Sequence, residues 1–275
     1  MVLTSNSRSR VLLTIIVWVA TLAFLFPVIW FLLLSLKSPD LIFATPPVFW
    51  FKPTLGAYRE TILSGYSNQL WNSLLVASGS TAVCLILGVP AAYAFDRFTF
   101  FGRKDLLFWM LSVRMAPPIA VVLPFYLVMR RLELVGTLTA LILVNLTVNL
   151  PLVVWLMKDF FAEVPRSLDE SALVDGATRL RAFVNIIFPL AAPGIVVSTV
   201  FAFIFSWNEF FFALILSSIN SQTLTVAAAS FWTNVQLEWH KLAAVSMVTI
   251  LPPFLLAFLL GRYLVRGLTF GAVKE

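Results

Sequence analysis

Polar and aromatic side chains able to bind a solute lie inside long apolar stretches of this sequence. A charge within an apolar span costs at least about 2.5 to 3.5 kcal/mol, so Arg114 should face a partner or a water-filled path. Amide, carboxylate and aromatic groups together suit a polyhydroxylated ligand, which offers hydroxyls for hydrogen bonds and ring faces for stacking. We predict that a path for such a solute is lined by Arg114, Asn145, Asn149, Trp207, Asn208 and Glu209.

Each of these side chains also has a structural interpretation. Arg114 could pair with Glu209, or with backbone carbonyls that the prolines following it leave without donors. The two asparagines stand four residues apart on one helical face, where holding helices together is the somewhat stronger interpretation. The tryptophan is equally suited to anchor a helix at the membrane interface.

The sequence offers little that could support catalysis. Its single cysteine, Cys84, and single histidine, His240, cannot form a disulfide or a recurring metal cluster. A hydrolase needs a nucleophile with a base or metal ligands in reach. No Gly-x-x-x-x-Gly-Lys-Ser/Thr phosphate loop occurs, so ATP is not bound by that route. We therefore predict that the chain is not an enzyme and holds no cofactor or metal. Any energy from ATP that it uses should come from hydrolysis by another subunit.

Composition indicates which elements carry these groups. Apolar residues make up 60% of the 275 residues and charged residues only 12%, a balance outside that of soluble globular domains. A helix needs about 20 consecutive apolar residues to cross a bilayer. The sequence therefore predicts an all-α integral membrane protein with transmembrane helices at 11–36, 70–95, 106–129, 137–157, 190–216 and 242–263.

The distribution of basic residues predicts the orientation of the chain. Most of the loop lysines and arginines fall on the side of the N-terminus, although Arg130 and Arg131 fall on the other. Cytoplasmic loops are enriched in such residues, so both termini are predicted to be cytoplasmic and the net charge of +6 is not attributed to nucleic-acid binding. The first apolar stretch is too long for a signal peptide. The predicted segments are a cytoplasmic N-terminus (1–10), a first span with an outer interfacial loop (11–69), a transmembrane core (70–263) and a cytoplasmic tail (264–275).

Prolines should interrupt the third predicted span. Pro117, Pro118 and Pro124 each remove a backbone donor. Their rings also clash with the preceding turn of a helix. We expect this span to be kinked or broken.

The longest predicted cytoplasmic connection, between the fourth and fifth spans, has a clear local design. Ser167 and Glu170 fit a capping box at the start of a short helix. Gly176 can adopt positive φ at the end of that helix, and Thr178 can cap a second helix that runs toward Phe188. An exposed helix pair of this kind would be a docking element for a soluble partner.

The same connection resembles the EAA loop of bacterial ABC importer permeases. That pattern has Glu-Ala-Ala, a glycine six residues after the glutamate, and an isoleucine and Leu-Pro near its end. Ser171 and Phe188 depart from it conservatively. In the family the first helix of the loop seats in a cleft of the ATP-hydrolysing subunit. For the coupling loop at 158–189 the resemblance implies that role for Glu170, Ser171, Ala172, Asp175, Gly176, Ala177, Ile186 and Pro189.

Other segments resemble the carbohydrate branch of that family, which includes the maltose permease subunits. They are Asn72-Ser73 at the start of the second span, Trp207-Asn208-Glu209-Phe210 in the fifth, and the tail at 267–274. Tails of this type reach the ATPase subunits in the family. The resemblance therefore implies contacts with those subunits for Gly267, Thr269 and Gly271.

What the resemblance implies is the type I ABC importer permease fold with six transmembrane helices, and import of a sugar or polyol across the bacterial cytoplasmic membrane. The implied partners are a second, related permease subunit, two ATP-binding subunits that hold ATP and Mg, and an extracytoplasmic substrate-binding protein. Two other interpretations stay open. One is a secondary transporter coupled to an ion gradient through Arg114 and Glu209. The other is a structural membrane subunit that scaffolds an ATPase complex without lining a path.

Overall fold

The computed structural model describes residues 7–229 and 238–269, and this part of the chain is helical and contains no strand. Two compact units are formed, Met1–Tyr66 with Ala228–Thr249, and Ser67–Ala227 with Ile250–Glu275. The helices are α1 (Ser7–Leu36), α2 (Pro39–Ile42), α3 (Gly56–Thr61), α4 (Ser67–Arg97), α5 (Arg103–Met115), α6 (Pro118–Arg131), α7 (Leu138–Glu163), α8 (Arg166–Val174), α9 (Arg179–Ala182), α10 (Phe188–Leu190), α11 (Ala192–Trp207), α12 (Phe211–Leu216), α13 (Leu224–Ala229) and α14 (Trp239–Thr269). A single π-helical turn, Phe183–Ile187, precedes α10, and the segment Ile62–Tyr66 before α4 is kinked at Gly65, whose φ is +92°.

The described residues contain four helices long and apolar enough to cross a membrane, within α1, α4, α7 and α14. Two bent pairs of helices bring the number to six when each pair counts as one span. These are α5 with α6, and the segment Arg179–Leu190 with α11. The all-α membrane fold predicted from apolar windows is therefore confirmed, with boundaries shifted by at most six residues except in the fifth span.

The third predicted span is broken, as its prolines indicated. Its two helices, α5 and α6, meet at an angle of 101°. Ala116 and Pro117 between them are extended, with ψ of 127° and 134°. A proline disfavours the helical conformation of the residue before it, and two prolines in series impose that restriction twice. Pro124 is accommodated inside α6.

The fifth predicted span ends earlier than expected. Its helix α11 stops at Trp207, and the chain forms a new short helix, α12, from Phe211. The predicted single helix from 190 to 216 is wrong at this point, because the carboxylate of Glu209 caps α12 by accepting backbone N–H groups of Phe212 and Ala213 at 2.8 and 2.9 Å. Only Asn208 and Glu209 interrupt the apolar residues at this break, so hydropathy averaged over a window does not mark it.

The core of the second unit is built where α4 packs against α7 and α11. Gly88 of α4 lies so close to α7 that a Cβ atom there would stand 2.7 Å from Cγ1 of Val153. Polar side chains join all three helices, since the hydroxyl of Ser206 accepts hydrogen bonds from Ser80 (2.8 Å) and from Nδ2 of Asn149 (2.9 Å). Hydrogen bonds of this kind stabilise helix association where the surroundings offer no water.

In the first unit, the segment after α1 folds back onto the end of that helix. The ammonium group of Lys37 lies 5.7 Å from the ring centroid of Trp30 and 5.3 Å from that of Phe51. The hydroxyls of Ser35 and Tyr58 are hydrogen bonded at 2.7 Å. The lysine is buried, and the two aromatic faces supply the electrostatic attraction that a buried cation needs.

Candidate functional site

The candidate docking element is the helix pair α8 and α9. Its first helix starts one residue before Ser167, after Pro165 in an extended conformation, and no side chain caps it. The predicted capping box of Ser167 with Glu170 is therefore wrong. A proline disfavours the helical conformation in the residue before it, so a helix does not extend backward through Pro165. Pro165 therefore sets the start of α8 and places Ser167 inside its first turn.

The turn between the two helices follows the sequence prediction closely. Gly176 has φ of +83° and donates its N–H to the carbonyl of Leu173 (3.1 Å), while Ala177 donates to Ala172 (2.9 Å). A Cβ atom at Gly176 would meet nothing within 4 Å. The glycine is thus required by its backbone conformation and not by lack of space.

Thr178 caps the second helix, as predicted. Its hydroxyl accepts the backbone N–H of Arg181 at 3.3 Å. The helical segment continues beyond Phe188 and through Pro189 as far as Leu190, where the chain bends by 74° into α11. Pro189 directly follows the π-helical turn Phe183–Ile187, where the regular helical hydrogen-bond pattern is already interrupted.

One face of the docking pair is buried in this chain and the other is exposed. Ala172 of α8 and Ala182 of α9 are buried. In the π-helical turn that follows, Ile187 is buried and the partly buried Ile186 packs against the core that contains it. The outward face carries Glu170, Ser171, Asp175 and Gly176 together with large apolar side chains. Among these apolar residues Val174 is 87% exposed and Leu173 40% exposed. Apolar side chains left exposed beside charges are typical of a protein interaction surface.

A charged cluster lies behind this pair, where α8 meets the end of α4. Its members are Tyr93, Asp96, Arg97, Arg166 and Asp169, and together with Glu170 and Arg179 several of them line a cavity of about 210 Å³. Sequence reasoning missed this cluster. Pairs between separate helices leave no periodic signal in a sequence, so neither Arg97 nor Asp169 could be singled out from it.

Arg114 lies at the end of α5, beside the break in the third span. Its guanidinium carbon is 4.5 Å from the ring centroid of Phe205. Its Nη1 atom is buried and has no hydrogen-bond partner among the described residues. In that part of the chain no ion pair joins it to Glu209, whose carboxylate is occupied by the N-terminus of α12. Arg114 lines a cavity of about 230 Å³ with Thr147 and Phe212.

The other residues predicted for the path are not gathered around that cavity. Asn145 is buried and donates to the carbonyl of Leu141, and Asn149 donates to Ser206, so both asparagines hold helices or backbone. Trp207 is 2% exposed and stacks on Phe203 with centroids 5.7 Å apart. Asn208 is exposed and donates to the carbonyl of its own helix.

The predicted tail contacts fall at the end of the described chain. Gly267 and Thr269 belong to the last turns of α14, and Gly271 lies outside the described residues. In the described residues, no group of three or more histidine, cysteine, aspartate or glutamate side chains is placed to hold a metal ion.

Comparison with known proteins agrees with this geometry. The family model of the binding-protein-dependent transport system inner membrane component matches residues 84–270. The trehalose transport system permease protein of Mycobacterium tuberculosis is 36% identical over 91% of this chain and 92% of that protein. The sulfoquinovosyl glycerol transport system permease protein of Agrobacterium fabrum is 34% identical over 91% and 89%. A chain in the crystal structure of a bacterial ABC transporter that imports the acidic polysaccharide alginate covers 96% of this chain and 99% of its own length, with a TM-score of 0.79 and 21% identity.

Proposed function

The chain belongs to the family of binding-protein-dependent transport system inner membrane components and is a permease subunit of an ABC importer, and from this premise we propose its substrate, its partners and the roles of its residues. The substrate is a small carbohydrate, a sugar or polyol. The chain forms half of the path, and a second, related permease subunit forms the other half. Two ATP-binding subunits bind ATP and Mg and hydrolyse ATP, and an extracytoplasmic binding protein delivers the substrate.

The observation that carries the coupling proposal is the outward face of α8. Ala172 of this helix is buried against the rest of the chain, whereas Leu173 and Val174 are exposed beside Glu170. An apolar helix face seats in a groove of a partner by burying such side chains. We propose that this face and the turn at Gly176 bind the ATP-binding subunit. The face and both termini of the chain then lie in the cytoplasm.

Two relatives support a carbohydrate substrate, because their names assign them to transport of trehalose and of sulfoquinovosyl glycerol. Within the path, Arg114 has the strongest support. A guanidinium with a buried, unpartnered Nη1 beside a cavity is able to donate to a substrate hydroxyl or anionic group. For Asn145, Asn149, Trp207, Asn208 and Glu209 the role in the path stays a prediction.

The docking assignment is tested by purifying the tagged chain in mild detergent after expression with its neighbouring transporter subunits. Val174→Asp places a charge in the apolar contact and should abolish recovery of the ATP-binding subunit and ATP-driven uptake. Ile219→Asp is the matched control, since Ile219 is 84% exposed and lies on the opposite membrane side in the proposed orientation. Equal loss in both variants would contradict the assignment. Uptake that survives ATP depletion and collapses with an uncoupler would instead establish a gradient-driven transporter.

A further inference from the structure

The guanidinium of Arg97, at the last residue of α4, contacts three parts of the chain at once. Its Nη1 is 2.7 Å from Oδ2 of Asp96, its Nη2 donates to the carbonyl of Val164 at 2.8 Å, and its Nε is 2.7 Å from Oδ2 of Asp169. The contact with Asp169 lacks hydrogen-bond geometry and is an ionic attraction. The directed bond to that carboxylate comes from the Tyr93 hydroxyl, which donates to Oδ1 at 2.7 Å.

This arrangement is shielded from water. The side chains of Arg97 and Asp96 are 6% and 7% exposed, and that of Asp169 is 15% exposed. Charge pairs in such surroundings are screened little by salt, unlike pairs on an open surface. A second tie runs in parallel, because Arg166, the first residue of α8, donates to the backbone carbonyl of Asp96 at 2.9 Å.

The position of Asp169 gives the link a direction. Asp169 and Glu170 are consecutive in α8, so their side chains diverge by about 100° around the helix axis. Glu170 is exposed and borders the cavity that Asp169 also lines, whereas the carboxylate of Asp169 turns inward to α4. One short helix therefore carries both the surface assigned to the ATP-binding subunit and an ionic contact with a membrane-spanning helix.

We propose that Tyr93, Arg97 and Asp169 form a coupling link, through which a displacement of α8 by the ATP-binding subunit is transmitted to α4. This inference rests on the function proposed above. The three residues are positioning residues that touch neither substrate nor nucleotide. Because α4 packs along α7 and α11, a force applied at Arg97 acts on the packed centre of the bundle. The planar guanidinium fork makes contacts in several directions that a lysine ammonium on a flexible stem does not reproduce.

The test uses the complete importer reconstituted in liposomes, with its second permease, ATP-binding subunits and binding protein. Three quantities are measured: recovery of the complex, basal ATP hydrolysis, and substrate imported per ATP hydrolysed in the presence of binding protein. Asp169→Asn keeps the size of the side chain and an acceptor for Tyr93 but removes the charge. We expect normal recovery and basal hydrolysis, with import per ATP reduced about tenfold, as for a typical coupling free energy.

Further variants separate coupling from folding. Asp169→Glu restores the charge and should recover part of the import, while Tyr93→Phe removes the directed bond and should produce a smaller loss of import per ATP. Asp159→Asn is the matched control, since this carboxylate lies near the cytoplasmic end of α7 and is 58% exposed. It should leave import per ATP unchanged.

Unchanged import per ATP in an assembled Asp169→Asn complex would overturn the coupling link. A loss of import that only follows a loss of complex, with Tyr93→Phe fully coupled, would also overturn it and leave a structural ion pair. If no ATP-binding subunit is recovered with the unaltered chain, the proposed function itself is refuted. Failure of the coupling link alone is distinguished from this result because it leaves recovery with the unaltered chain intact.

Discussion

Replacing Gly176 by alanine should weaken docking of the ATP-binding subunit without disturbing the membrane helices. The residue has φ of +83°, and a Cβ atom there would meet nothing within 4 Å, so the substitution introduces backbone strain and no steric clash. Holding an L-residue in the left-handed region costs about 1 to 2 kcal/mol. If the turn of the free alanine variant relaxes out of this conformation and must return to it on docking, that cost lowers the association constant about 5- to 30-fold.

Two further variants isolate the backbone effect. Gly176→Asn introduces a longer side chain, but asparagine tolerates the left-handed region, so docking should be closer to that of the unaltered chain than with alanine. Gly102→Ala is the matched control. Gly102 has φ of +77° and also has nothing within 4 Å of its Cβ position, but it lies in the turn between α4 and α5 and outside the docking pair.

The assay is the affinity of the purified ATP-binding subunit for the chain in detergent, measured by titration at constant salt. We expect the order of affinity to be the unaltered chain and Gly102→Ala first, then Gly176→Asn, then Gly176→Ala. Full affinity in the alanine variant would refute the requirement for a left-handed residue. Equal weakening by Gly102→Ala would show that strain anywhere on the cytoplasmic side has the same effect, and would remove the docking argument.

Two other substitutions probe the helix core and the break after α11. Gly88→Ala should lower thermal stability by an overpacking cost of about 1 to 3 kcal/mol, because its Cβ would lie 2.7 Å from Val153. In the control Gly79→Ala, on the same helix, the Cβ meets only the flexible end of Ile142 at 3.0 Å and the substitution should cost less. An equal loss of stability in thermal melting of the two variants would contradict the packing argument. Glu209→Ala should lower the free energy of unfolding by about 0.5 to 2 kcal/mol through loss of the α12 cap. Glu209→Gln should cost less than the alanine variant, and the KM for substrate should be unchanged in both. A raised KM at unchanged stability would return Glu209 to the substrate path.

The helices of this protein could be predicted well, since apolar length determines a membrane span almost alone. The break between α5 and α6 was also foreseeable, because Pro117 and Pro118 restrict backbone angles whatever surrounds them. The end of α11 was not. It depends on the Glu209 side chain reaching two N–H groups of the next helix, and a glutamate among aromatic residues has no sequence signature for that contact.

The docking loop divides in the same way. Gly176 and Thr178 act through their own backbone and their nearest neighbours, and both predictions are confirmed. The capping box of Ser167 fitted its motif but failed because Pro165 fixes an earlier start. The contact of Arg97 with Asp169 joins residues far apart in the sequence, and only the packing of α8 on α4 brings them together.

These differences bear on how movement can pass through the chain. The close approach at Gly88 and the hydrogen bonds that Ser206 accepts from Ser80 and Asn149 tie α4, α7 and α11 together. Interiors packed to this density shift as units between discrete arrangements and do not deform continuously. Because the link at Arg97 reaches this packed group through α4, a displacement of the docking helix need not bend each span separately. The broken helix pair α5 and α6, with its two extended residues at the joint, packs against that group through α7 and carries Arg114 beside its cavity.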